Sequence, residues 1–165
     1  TETEKKNEIL QEKLKIILIT SVCVFFDQII KYLIVSNFTL YKKNPIIEGF
    51  FNITYVQNRG AAWGILNNNI ILLVVITVLA LGFICSFIFK ESNIKKLDIV
   101  LYGMLLSGII GNFIDRIFRG YVIDFLDFII FGYDFPVFNI ADMLIVISVG
   151  IMIITYWRSR NENTE

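Results

Sequence analysis

Asn112, Asp115, Arg116, Asp124, Asn139 and Asp142 all fall within residues 107–142 of an otherwise oily chain. Ionisable groups at the edge of hydrocarbon are costly, so each is a functional candidate. Asp124 follows a glycine-punctuated turn (Arg119, Gly120) and sits among Tyr121, Val122, Ile123 and Phe125. Asp142 lies one helical turn after Asn139. Two aspartates close together in a poorly hydrated setting cannot both ionise cheaply and so share a proton. One can then act as general base on a water while the other, protonated, polarises a scissile carbonyl. The chain has no histidine, which removes Ser-His-Asp and Cys-His arrangements and the HExxH zinc motif. Cys23 and Cys85 lie inside apolar runs and read as unbonded membrane cysteines. Hydrolytic chemistry is left to carboxylates, with Asp124 and Asp142 as the candidate pair. Asp127 and Asp134 read as solvated loop carboxylates.

The elements that must position this pair are membrane spans. Apolar residues make up 56% of 165, mean hydropathy is +0.67, and the apolar residues come in runs near the ~20 residues that cross a bilayer. The spacing predicts an α-helical integral membrane protein, a single membrane-embedded domain with spans over residues 14–36, 70–89, 97–117 and 139–157. Residues 1–13 read as a disordered or surface-lying cytoplasmic tail, and residues 37–69 and 118–138 as the extracytoplasmic segments. Phe50 to Asn58, rich in β-branched and aromatic residues, predicts a strand at the membrane surface. Thr rather than Met at position 1 suggests that residues preceded it. The first span, which contains Asp27 and Lys31 with no small-residue cleavage site after it, is not expected to be a cleavable signal peptide.

Charge sets the orientation. Lys5, Lys6, Lys13, Lys15, Lys90, Lys95, Lys96, Arg158 and Arg160 lie on one side, against Lys42, Lys43, Arg59, Arg116 and Arg119 on the other. The first set should be cytoplasmic, with both termini. At a rise of ~1.5 Å per residue, Asp27 lies roughly 20 Å across the first span, and Asn112 and Asp115 about 22 and 27 Å across the third. Asp142 is only about 5 Å into the fourth. The carboxylates therefore converge on the outer interface. Lys+Arg and Asp+Glu balance at 15 each, so no overall field suits nucleic acid as a partner.

Three further groupings carry two readings each. Asp27 and Lys31, spaced i, i+4, form either a self-neutralising ion pair or a support for the site. Gly108, Asn112 and Asp115 share a helix face, with Gly111 permitting close approach, as a polar clasp between helices or as part of the site. Asn58, Arg59, Gly60 and the small residues up to Gly64 make either a plain re-entry into the second span or a surface for β-augmentation by an extended peptide.

Taken together, Asp27 with Lys31, NRGAAWG (58–64), GNFIDR (111–116), GYVIDF (120–125) and FNIAD (138–142) resemble the lipoprotein signal peptidase (signal peptidase II) family, over essentially the whole chain. Arg59, Trp63 and Met143 depart from the usual family residues without touching the two aspartates. The resemblance implies four transmembrane helices with a small extracytoplasmic β-cradle and surface helix. It implies an aspartic endopeptidase of the bacterial cytoplasmic membrane, working at the outer face, with Asp124 and Asp142 as the catalytic dyad. Asn58, Gly60, Asn112, Arg116 and Asn139 would contact substrate or orient the dyad, and Asp27, Lys31 and Asp115 would support it. The implied substrate is a diacylglyceryl-prolipoprotein cut just before its lipidated lipobox cysteine, with membrane lipids as surroundings, a monomer as the working form, and no cofactor or metal. The rival classes are a proton-coupled carrier using intramembrane Asp and Arg, and a non-catalytic lipid-binding or scaffolding protein.

Overall fold

The structure, a computed structural model, describes residues 2–61, 66 and 68–162. Four helices are long and apolar enough to cross a membrane: α1 (Glu2–Asn37), α2 (Ile70–Lys90), α3 (Lys96–Arg119) and α4 (Ile140–Glu162). Helices suit a bilayer because each satisfies its own backbone groups where no water can. Between them lies an antiparallel four-stranded sheet in the order β1 (Lys43–Ile47), β2 (Phe51–Asn58), β3 (Val122–Ile130) and β4 (Tyr133–Asp134). Among the described residues no separate surface helix accompanies it. Trp63 and the rest of residues 62–65 lie outside the described residues, as does Asn67.

α3 is the central helix, with α1 and α4 packed along it. Its small residues make this possible. A Cβ on Gly108 would run into the backbone carbonyl of Ala141, so glycine there sets how closely α4 approaches. α2 is peripheral, with Ile71, Phe83 and Phe89 strongly exposed, as suits a lipid-facing helix. One apolar cluster (Ile16, Ile88, Ile94, Ile99, Leu106) closes the bundle at the α2–α3 turn. A second (Ile34, Tyr55, Ile123, Phe125) joins the sheet to the opposite end.

One expectation changes. The first helix does not start at residue 14: α1 is continuous from Glu2, so the expected disordered or surface-lying tail is helical from its second residue. Its sequence is rich in helix-forming Glu, Lys and Gln, with Glu2 and Glu4 at the positive end of the helix dipole. Lys13 then ties it to α2, donating to the Phe89 carbonyl at 2.7 Å with its ammonium over the Phe89 ring. Residues 118–138 supply the expected sheet with two of its strands. Gly120, left-handed at φ +74°, ends α3, and the chain enters β3 at once. β3 runs nine residues and turns at Phe131-Gly132, both with positive φ, into β4.

Candidate active site

The sheet brings Asp124 to the end of the bundle. β2 carries one extra residue between Ile53 and Val56 opposite β3, which places Asp124 across from Val56 and Val122 across from Asn58. Asn58 is thereby the diagonal neighbour of Asp124 on the same face, and its Nδ2 donates to Asp124 Oδ2 at 2.9 Å. Phe138 delivers the other half of the site. Its carbonyl accepts from the N–H groups of Phe125 and Leu126, and its N–H donates to the Leu126 carbonyl. The start of α4 is thus stitched to β3 beside Asp124.

At that helix start Asn139 and Asp142 form a reciprocal capping box. Asn139 Oδ1 accepts from the Asp142 N–H at 3.0 Å, and Asp142 Oδ2 accepts from the Asn139 N–H at 3.1 Å. Residues chosen to start a helix thereby also fix a carboxylate, and the N-terminal dipole of α4 favours negative charge at Asp142. The remaining amide protons of Asn139 reach Asp124 Oδ1 at 2.7 Å and Asn112 Oδ1 at 3.1 Å. Asn112 completes the ring by donating to Asp142 Oδ1 at 2.7 Å. Asp124 and Asp142 are therefore bridged by two asparagines, and both carboxylates line one cavity of about 810 Å³.

Burial, and next the negative charge of Asp142, push Asp124 from its ordinary value of 3.8 up to about 7, against the amide donors Asn58 and Asn139. Near neutral pH Asp124 thus sits where it can hold or release a proton. Such a pair can activate a water with one carboxylate and protonate or polarise with the other. The rest of the cavity wall is mostly apolar, including Phe135, Val137, Met143, Val146 and Ile147. An extended polar chain carrying long apolar groups fits that lining.

The other expected residues take distinct places. Arg116 lines the cavity and donates to the Gly60 carbonyl at 3.4 Å. The Gly60 N–H donates to Asn58 Oδ1 at 2.9 Å, so both backbone groups of Gly60 serve the Asn58–Gly60 turn. Asp27, Lys31 and Asp115 lie behind the cavity in a buried cluster. Lys31 meets Asp27 Oδ2 at 3.0 Å and Asp115 Oδ2 at 2.9 Å, and its side chain is fully buried. The i, i+4 pairing of Asp27 with Lys31 is present, and a third partner from α3 joins it. Gly111 gives Asp27 its room: a Cβ there would stand 2.6 Å from Asp27 Oδ2.

Two members of this cluster carry no assigned role in the sequence reading. Gln28 Nε2 donates to Asp27 Oδ2, the Gly111 carbonyl and Asp115 Oδ1, while its Oε1 accepts from Arg119. Arg119 also pairs with Asp115 Oδ1 at 2.6 Å. The i, i+4 spacing of Asp115 and Arg119 was the available signal. Asp115 Oδ2 further accepts from the Ile123 N–H at 3.1 Å, so the cluster pins the residue next to Asp124. The solvated-loop reading of Asp127 fails. It is fully buried in β3 and accepts from Thr54 Oγ1 at 2.5 Å, because the segment is a central strand and not a loop. Asp134 is exposed and paired with Lys43.

Residues 19–158 match the family model described as signal peptidase (SPase) II. The lipoprotein signal peptidases of Staphylococcus aureus strains JH9 and Newman are each 40% identical over 149 residues, covering 90% of this chain and 91% of theirs. Two solved bacterial membrane enzymes superpose on it. One has a TM-score of 0.83 at 39% identity, covering 89% of this chain and 90% of that one. The other has a TM-score of 0.77 at 41% identity, covering 86% and 91%.

Proposed function

The chain belongs to the signal peptidase II family, and on that premise we propose that Asp124 and Asp142 are the catalytic pair with which it removes the signal peptide from prolipoproteins. The observation that carries this reading is the bridging of both carboxylates by Asn139 and Asn112 at one cavity. Water held between the aspartates attacks the scissile carbonyl carbon and gives its proton to the ionised carboxylate. The protonated one donates to the carbonyl oxygen, and a proton then passes to the leaving amine as the C–N bond breaks. Cleavage falls just before a diacylglyceryl-modified cysteine. The acyl chains rest against the apolar wall along α4 while the peptide bond meets the carboxylates at headgroup level. Arg116, with donors to spare at the cavity, suits a substrate carbonyl or phosphate.

The site end of the bundle faces outward in this reading, since nine basic residues lie at the other end against five here. A proton-coupled carrier would space its acids along a path. Instead, the fully buried carboxylates among the described residues, Asp27, Asp115, Asp124 and Asp127, gather at the sheet end.

The test is cleavage of a synthetic diacylated lipobox peptide by purified enzyme in lipid-doped detergent. Asp124→Asn and Asp142→Asn should each abolish it while the protein stays folded. An unlipidated peptide should be cut far more slowly. Near-normal cleavage by either variant overturns the dyad, and equal cleavage of both peptides overturns the lipid requirement.

A further inference from the structure

Resting on the dyad reading above, we propose that Lys31 is a positioning residue for the hydrolysis, its buried ammonium locking the Asn112 amide in the one orientation that donates to Asp142. The ammonium has three protons and three acceptors: Asp27 Oδ2 at 3.0 Å, Asp115 Oδ2 at 2.9 Å and Asn112 Oδ1 at 3.0 Å. Nothing of the side chain is exposed, so it does not meet substrate. Its reach to the chemistry is through Asn112.

An asparagine amide can turn end for end, and only its partners choose between the two orientations. Here Asn112 Oδ1 accepts from Lys31 Nζ and from Asn139 Nδ2, which turns Nδ2 toward Asp142 Oδ1 at 2.7 Å. The reversed amide would set its N–H groups against both of those donors and its carbonyl against the carboxylate of Asp142. Asn139 cannot enforce the choice as strongly, because its donor is a neutral amide while that of Lys31 is charged.

Asp27, Asp115 and Arg119 neutralise the cluster together with Lys31, two charges of each sign. This separates two roles that a single substitution would mix. Lys31→Met combined with Asp27→Asn removes one charge of each sign and leaves Asp115 paired with Arg119. If Lys31 serves only to balance charge, that pair of changes restores activity. If it orients Asn112, the protein stays folded and the reaction stays slow.

The experiment measures kcat and KM on the diacylated peptide, with thermal unfolding in detergent, for Lys31→Met/Asp27→Asn, for Asn112→Ala, and for all three changes together. The expected result is a folded double variant whose kcat is down about tenfold or more with KM within about twofold. The triple variant should be no slower than Asn112→Ala by more than about twofold, since two changes on one chain of contacts do not add. Near-wild-type kcat in the charge-balanced variant overturns the proposal. So does multiplication of its effect with that of Asn112→Ala, or loss of its folded state. Asp142→Asn is run alongside: if it is active the dyad has failed, and if it is inactive while the charge-balanced variant is active only the Lys31 proposal has failed.

Discussion

Replacing Asp124 by Asn should abolish cleavage and, at the same time, make the protein harder to unfold above neutral pH. Asp124 is 2% exposed, and its pKa stands at about 7 in place of 3.8. That rise of roughly three pH units, at about 1.4 kcal/mol each, is about 4 kcal/mol against the folded state once the group ionises. The folded chain holds this proton more tightly than the unfolded chain does. The cost is therefore absent below about pH 4, grows as pH rises toward 7, and is complete above it. The substituted amide carries no charge but keeps one oxygen where Asp124 accepts from both Asn58 and Asn139. One amide donor then loses its acceptor, at about 1–3 kcal/mol. The net gain at pH 8 is about 1–3 kcal/mol, or about 3–10 °C in Tm for a chain of this size. At pH 4 it should vanish or reverse. Thermal unfolding of both proteins in the same detergent at pH 4 and pH 8 measures it. An Asp124→Asn protein no more stable than wild type at pH 8, or one whose advantage is the same at both pH values, refutes the account of Asp124.

Asn58→Ala removes a donor that favours the ionised Asp124. The pKa of Asp124 should rise further, so the alkaline limb of the cleavage rate, expected near pH 7, should move up by about one unit, as read from a pH–rate profile. Gly111→Ala would push on the Asp27 carboxylate from 2.6 Å; both Tm and cleavage should fall, with a stability loss of about 1–3 kcal/mol in a denaturant or thermal series. Thr54→Val strips the hydroxyl from buried Asp127. It should lower stability by about 1–3 kcal/mol and leave KM for the diacylated peptide unchanged, because Thr54 and Asp127 lie outside the cavity.

Apolar run length, a local property, was enough to show four spans in the sequence, and the absence of histidine narrowed the hydrolytic chemistry to carboxylates. The one-turn spacing of Asn139 and Asp142 was also legible locally, whereas the reciprocal capping bonds between them came from the structure. What the sequence left open are the pairings between distant residues. Lys31 had one visible partner, Asp27, at i, i+4; that it also holds Asp115 and Asn112, more than 80 positions away, depends on how α1 lies against α3. Asp127 reads as a loop acid because two aspartates interrupt an apolar run that follows neither helical nor alternating periodicity. Its burial comes from β3 pairing with β2, where Asn52 lies opposite it, Thr54 donates to its carboxylate and Lys43 reaches the same oxygen at 3.6 Å. The tail before residue 14 is similar: its residues favour helix, but its contact with α2 through Lys13 and Phe89 exists only once the bundle forms. Sequence determines which groups are available and which local elements carry them. Tertiary packing decides which buried charges meet, since the cost of burying each one is offset only by partners that the fold brings from elsewhere.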